Sequence, residues 1–176
     1  MTNFRKRFET VKEAAIIDTE ILPFSEETVR ACARNACGRY NTNWSCPPAA
    51  GKLEDQIKFC RSFPSALLFS SCYPLVDGFD LDGMDRARTA HTYLTDEVAA
   101  FYKVPPWRVF GAESCSVCLK CTYPHAPCRF PNQKRRTVES LGIDVVSLCD
   151  LVGFKYCNRA NTETYFSMNV LNGRRI

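Results

Sequence analysis

Four cysteines within a stretch of fourteen residues constrain this chain more than any other feature. Cys115, Cys118, Cys121 and Cys128 form the pattern C-x2-C-x2-C-x6-C, which continues into Arg129-Phe130-Pro131. Gaps of two residues let successive thiolates reach one compact metal centre, and three such cysteines in a row are typical of iron–sulfur ferredoxins. Zinc sites more often join two separated C-x2-C pairs. The pattern predicts four metal ligands and favours iron–sulfur over zinc, while the longer final gap leaves the cluster type open.

A second group of cysteines lies upstream, where Cys32, Cys37 and Cys46 are spaced C-x4-C-x8-C and followed by Pro47-Pro48. The intervening loop is polar, but it carries Tyr40 and Trp44, which can keep water away from a metal centre. We therefore expect these cysteines to hold a second cofactor, the alternative being that they are buried free thiols. The group supplies three thiolates rather than four.

The missing fourth ligand has several possible sources. An iron can stay open to water or substrate, or Cys157 or His125 can complete the site, although a loop histidine is more often simply exposed. In two-cluster ferredoxins the proline-linked cysteine ligates the other cluster. By that arrangement Cys46 would join Cys115, Cys118 and Cys121 in one centre.

Both cysteine groups, together with the stretches Cys128-Arg129-Phe130-Pro131 and Gly142-Ile143-Asp144-Val145, resemble a family of small proteins known only as predicted metal-binding proteins. The resemblance runs from about Cys32 to Leu171. The family is widespread in anaerobic bacteria and methanogenic archaea, so it implies a metal, and an iron–sulfur cluster in an anaerobe, without naming a reaction. One departure is Arg136-Thr137-Val138, where the family commonly has Arg-Pro-Ser.

Composition bounds the remaining possibilities. A chain of 176 residues is expected to form one domain, residues 1–176, with a substantial core. Its eleven cysteines are not expected to form disulfides, because the first residues lack the apolar segment of a secretory signal. No apolar run is long enough to span a membrane, so we expect a cytoplasmic protein. Bound clusters would offset the net charge of +4, which leaves a nucleic-acid role without support.

Hydrophobic periodicity predicts an α+β fold in which helices pack on a mixed sheet and the metal-binding loops lie at one end. Strands are expected over residues 14–21, 65–73, 107–112 and 162–171. Helices are expected after Ser25, over 52–63, from Asp82 or Asp85 to Lys103, and from Asp144 to Leu151. The third helix has an apolar stripe that includes His91, which predicts a core histidine.

Other candidates have simpler explanations. The carboxylates of Asp77, Asp80, Asp82 and Asp85 do not fit a calcium loop, because the twelfth position lacks glutamate. Cys60, Cys72 and Cys149 fall in apolar segments and are expected to be inert core thiols. The run Lys134-Arg135-Arg136 is expected to be a solvated face, although it suits an acidic redox partner or an anionic substrate.

Three functions agree with these observations. The first is electron transfer, or an accessory redox role, through two [4Fe-4S] clusters and a partner protein. The second is catalysis at an iron left open by the three-cysteine group. The third is a zinc-stabilised interaction module. The sequence favours the first slightly, because the four-cysteine motif is complete; no nucleotide, flavin or nucleophile motif accompanies it.

Overall fold

The computed structural model describes residues 2–173, which form five α-helices and five β-strands. The helices are α1 (Thr2–Arg7), α2 (Glu26–Ala33), α3 (Leu53–Arg61), α4 (Leu81–Phe101) and α5 (Val145–Val152). The strands are β1 (Val11–Asp18), β2 (Ser65–Pro74), β3 (Val109–Gly111), β4 (Arg136–Thr137) and β5 (Thr162–Leu171). Single turns of 3-10 helix occur at Thr19–Ile21, Pro106–Arg108, Pro131–Gln133 and Glu139–Leu141.

The strands form one mixed sheet in the order β1-β2-β5-β3-β4. Neighbouring strands are antiparallel except β3 and β4, which pair in parallel through Phe110 with Arg136 and Gly111 with Thr137. The longest ladder joins β2 to β5 along ten residue pairs. The predicted α+β class with a mixed sheet is therefore confirmed.

Helices cover both faces of the sheet. On one face, α1 and α4 pack through Phe4, Phe8, Leu94 and Val98. On the other, α3 and α5 pack through a second cluster that includes Leu148. The central strand β2 alternates between the two, since Leu67 and Phe69 join the first cluster and Ala66 and Leu68 the second. Burial on both sides explains why its sequence is an uninterrupted run of small and apolar residues.

The start of α2 and both ends of α5 form where the capping residues predict them, whereas α4 begins at Leu81, before the predicted start at Asp82 or Asp85. Ser25 Oγ accepts from the Glu27 N–H at the start of α2, and Asp144 Oδ1 accepts from two N–H groups at the start of α5. Asp80, one of the rejected calcium ligands, caps α4 by accepting from Gly83 N at 2.8 Å. Gly153 ends α5 with a left-handed backbone (φ 72°), as a C-terminal glycine should.

Two strands have different bounds from those predicted, since residues 14–21 and 107–112 were expected and the structure has β1 and β3. The first stops at Asp18, whose carboxylate caps a 3-10 turn, while the buried Thr19 hydroxyl donates to the Phe63 carbonyl at 2.5 Å. Trp107 and Arg108 lie in a 3-10 turn that begins at Pro106, and strand β3 follows it. The Arg108 guanidinium donates to the Val170 carbonyl at 2.7 and 2.9 Å. Helix α1 and the two-residue strand β4 were not predicted.

Candidate metal centres

The three-cysteine segment, residues 32–46, begins in the last turn of α2 and is shaped by asparagine side chains. Asn35 adopts the left-handed conformation (φ 57°), and its Oδ1 accepts from the Tyr40 N–H at 2.9 Å. Asn43 Oδ1 accepts from the backbone N–H groups of Ser45 and Cys46, at 2.9 and 3.0 Å. These turns fix the backbone that carries Cys46.

Cys32, Cys37 and Cys46 line one cavity of about 470 Å³. Its wall also contains Arg39, Tyr40, Glu113, Ser114, Glu139 and Ser140. This volume falls within the range of small-molecule sites, roughly 300–1,000 Å³. The three cysteines therefore line a space large enough for a small molecule or a cofactor.

The four-cysteine segment, residues 115–128, follows β3 and closes on itself through local hydrogen bonds. Ala126 N–H donates to the Thr122 carbonyl at 3.0 Å, and the Thr122 hydroxyl donates to the Pro127 carbonyl at 2.9 Å. Cys115, Cys118, Cys121 and Cys128 all line one cavity of about 20 Å³, which Trp44, Phe130 and Lys134 help to close. A space of this size holds about one water molecule, so the segment would have to widen to admit a cuboidal cluster.

The two segments contact each other although about seventy residues separate them in sequence. Trp44 Nε1–H donates to the Ala126 carbonyl at 3.0 Å, and Lys134 Nζ donates to the Trp44 carbonyl at 3.0 Å. The Trp44 ring packs edge-on against Tyr123, with ring centroids 5.0 Å apart. Trp44 thus belongs to one cysteine segment and covers the other.

Burial controls the protonation of the groups around both cavities. It raises the pKa of the Cys32 and Cys46 thiols, and hydrogen bonding to Asn43 partly offsets this at Cys46. Burial lowers the pKa of Lys134, which lies close to Cys115 and Cys128. Glu139 is exposed to the larger cavity but otherwise surrounded by protein, and the loss of hydration raises the pKa of its carboxyl. Without a metal, burial therefore favours the neutral form of the Cys32 and Cys46 thiols.

The sulfur-rich donor sets suit an iron–sulfur cluster or zinc. Within residues 2–173, however, no group of three or more His, Cys, Asp and Glu side chains is arranged to hold a metal ion. The roles of the seven cysteines as ligands stay a prediction. Cys46 lines the cavity of Cys32 and Cys37, not that of the four-cysteine segment.

The two suggested fourth ligands lie elsewhere. Cys157 and His125 are exposed, and neither is among the residues lining the larger cavity in the part of the chain that the structure describes. Cys60 and Cys149 are fully buried, and burial raises the pKa of each thiol to about 12, as expected for inert core cysteines. Cys72 is only partly buried.

His91 is a core residue, as its position on the apolar stripe predicts. Its Nδ1 lies 2.6 Å from Ser71 Oγ and its Nε2 lies 2.8 Å from Ser167 Oγ, all of them buried. Burial lowers its pKa to about 4, so the ring is neutral. Both ring nitrogens are occupied by hydroxyl partners, and the sequence prediction is confirmed.

Sequence reasoning missed the polar wall of the larger cavity. Glu113 accepts from Arg88 Nε at 2.8 Å and from the Thr92 hydroxyl at 3.2 Å, which fixes its carboxylate between α4 and the start of the four-cysteine segment. Glu139 comes from the turn after β4. These residues come from separate parts of the chain, and no local motif connects them.

Comparison with known proteins gives one result at the level of the family. No curated protein and no solved structure matches the chain. Residues 15–171 match a family model described as "Predicted metal-binding protein (DUF2284)", which covers both cysteine segments and most of the sheet. The chain belongs to this family of predicted metal-binding proteins.

Proposed function

We propose that this protein is an iron–sulfur protein with a redox role, in which Cys115, Cys118, Cys121 and Cys128 hold one closed cluster. The observation that carries the proposal is the sorting of seven thiols into two cavities, four around a small one and three around a large one. Four thiolates complete the ligand set of a cuboidal cluster, which supplies one-electron transfer when bound.

The surroundings of the four thiols suit an electron-transfer site. Trp44 and Phe130 help to close the cavity, which limits the access of water. The Lys134 ammonium lies near Cys115 and Cys128, where a positive charge stabilises thiolates and favours additional electron density. The chain contributes shielding and charge, and these are two of the features that tune the potential of such centres.

Catalysis at the three-cysteine group is the second candidate, and the larger cavity favours it. Three thiolates leave one coordination position of a cuboidal cluster without a cysteine, and the cavity of about 470 Å³ adjoins them. Arg39, Ser114 and Tyr40 would orient a polar substrate in this space. If clusters are bound, the four-cysteine centre would exchange electrons with a partner protein, and the three-cysteine centre would offer a position at which the substrate could bind.

The test begins with protein purified without oxygen. We expect a brown protein that contains iron and acid-labile sulfide in a ratio near one, with electron paramagnetic resonance signals from two centres. Cys118→Ser and Cys37→Ser should each remove one of the two signals, whereas Cys60→Ser, a matched change in the core, should remove neither.

A colourless protein with stoichiometric zinc and no sulfide, even after anaerobic reconstitution, would contradict the proposal and favour a zinc-stabilised module. Zinc found only after aerobic purification would not decide the matter, because thiolate sites that lose a cluster to oxygen readily take zinc.

A further inference from the structure

Charge is distributed unevenly along the chain. Residues 28–53 and 114–138, which contain the two cysteine segments, carry nine Lys and Arg residues and no Asp or Glu. The whole chain has 23 basic and 19 acidic residues, so the remainder is richer in acids than in bases. The hydrogen bonds from Trp44 and Lys134 bring the two acid-free stretches side by side. Glu113 and Glu139 nevertheless lie in the wall of the three-cysteine cavity, so the uncompensated positive charge is concentrated around the four-cysteine segment.

Several of these cations already have partners. Arg30 and Arg34 pair with Glu27, and Arg135 pairs with Asp96 at 2.7 Å. The Arg136 guanidinium lies over the rings of Phe59 and Phe110. At the four-cysteine segment, by contrast, Lys120 and Arg129 are exposed, and the Arg129 guanidinium donates to the Lys120 carbonyl. This hydrogen bond holds the two cations together at the surface.

Apolar side chains lie among these cations. Leu119 is fully exposed, at 109% of its reference area, and Phe130 is 44% exposed. Leu119 directly follows Cys118, and Phe130 lines the cavity of the four cysteines. Single exposed apolar residues are common on protein surfaces. Here Leu119 is followed directly by Lys120, and Phe130 directly follows Arg129. An apolar centre with a charged rim is typical of a protein interface.

We propose that the face formed by Leu119, Lys120, Arg129 and Phe130, called the Leu119 face below, docks an acidic electron-transfer protein. The inference rests on the proposed function, because it assigns the electron partner of the closed centre. One electron would pass from the reduced redox group of the partner, which is oxidised, to the cluster that the four cysteines would hold, which is reduced. No covalent bond forms or breaks.

The composition of the face favours a protein over a nucleic acid. Nucleic-acid surfaces combine positive charge with aromatic rings on which bases stack. Of the two apolar residues in the face, only Phe130 is aromatic, and the more exposed one, Leu119, is an aliphatic side chain that offers no such stacking surface. Opposite charge across an interface mainly increases the association rate, and salt suppresses this effect. The proposal therefore predicts a salt-dependent rate of electron transfer.

The experiment mixes cluster-loaded protein with a reduced small acidic ferredoxin in a stopped-flow spectrometer at increasing ionic strength. Lys120→Glu should lower the second-order rate roughly tenfold at low salt, the lower end of the range for electrostatic steering, and much less at high salt. Leu119→Ser should lower the rate at both salt concentrations, because it removes apolar contact. Lys12→Glu is the matched control, since Lys12 is exposed on β1, the strand at the opposite edge of the sheet. The electron-transfer rate of this variant should stay within about twofold of that of the wild type.

A rate independent of ionic strength, or an equal loss in Lys12→Glu, would overturn the docking inference. So would a Lys120→Glu protein that loses affinity for single-stranded RNA while its rate with ferredoxin is unchanged. Iron and sulfide are measured first in every sample. A brown protein with any of these results leaves the proposed function standing, whereas a colourless zinc protein overturns both.

Discussion

The backbone N–H of Cys115 donates a hydrogen bond to Ser45 Oγ at 3.3 Å. The first cysteine of one segment is thereby tied to the residue that precedes the last cysteine of the other. Ser45 is buried, and its hydroxyl donates to Asn43 Oδ1 at 2.7 Å. The Ser45 side chain therefore helps to position the backbone of both cysteine segments, at Asn43 in one and at Cys115 in the other.

The first prediction concerns Ser45→Ala. Loss of the hydroxyl leaves the Cys115 N–H without this acceptor, which should lower the free energy of unfolding by about 1–3 kcal/mol. It should also change the spectroscopic signals of both centres, because both segments shift. Ser62→Ala, which removes an exposed hydroxyl that donates to the Phe59 carbonyl, is the control. A change confined to one centre would show that Ser45 does not couple them.

The second prediction separates ligands from core thiols. Cys121→Ser should remove metal and destabilise the fold, because metal binding and folding are coupled at such sites. Cys149→Ser should keep its metal and lose only about 1–3 kcal/mol of stability, from burying a hydroxyl in an apolar core. Metal analysis and chemical unfolding of the two variants test this. Loss of iron from Cys149→Ser would mean that this cysteine is a ligand.

The third prediction concerns pH and His91. Burial lowers its pKa from 6.5 to about 4, so between these pH values the unfolded chain binds a proton that the folded protein does not. The contribution of His91 is complete above about pH 6.5 and is lost as the pH falls towards 4, by about 3 kcal/mol in total.

Comparison of wild type with His91→Gln isolates this effect, because the titration of all other groups, chiefly the carboxylates, is common to both proteins. The free energy of unfolding of wild type should fall more steeply between pH 7 and pH 4 than that of the variant. Parallel pH profiles, or a histidine NMR titration with a midpoint near 6.5 for this ring, would contradict the prediction.

The fourth prediction distinguishes an open centre from a closed one. Cyanide or a small thiol added to the reduced protein should perturb the signal that Cys37→Ser removes, and should leave the signal that Cys118→Ser removes unchanged. The reason is that the three-cysteine group faces the larger cavity. If neither signal responds, and Cys157→Ser or His125→Ala alters one of them, coordination is complete and a pure electron carrier is favoured.

The local sequence was sufficient to predict the bounds of elements that are flanked by clear capping or polar residues. Strand β5 has the predicted bounds, because its apolar run is flanked by polar residues, and α5 lies between the predicted cap at Asp144 and the predicted stop at Gly153. Strand β1 ends early for a tertiary reason, since Thr19 turns inward to bond the Phe63 carbonyl, forty-four residues away. Propensity carries no information about such a partner.

At the candidate site, too, local sequence predicted some features, and others depend on tertiary contacts. Spacing alone grouped the cysteines into a set of three and a set of four, and the cavities follow these groups. The size of the larger cavity depends on Glu113, Glu139 and Arg39, which come from three distant parts of the sequence. Spacing also left Cys46 able to join either set, and only the folded structure places it in the cavity of Cys32 and Cys37.

The parallel pairing of β3 with β4 has a consequence for how this protein can vary. Gly111 and Thr137 are hydrogen-bonded neighbours, so the chain leaves the sheet for the four-cysteine segment and returns to it one strand spacing away, about 5 Å. The whole excursion, residues 112–135, is therefore a single insertion at one edge of the sheet. Its length and cysteine spacing can change without altering the ladder between β2 and β5, and the same scaffold can carry a different metal-binding insert.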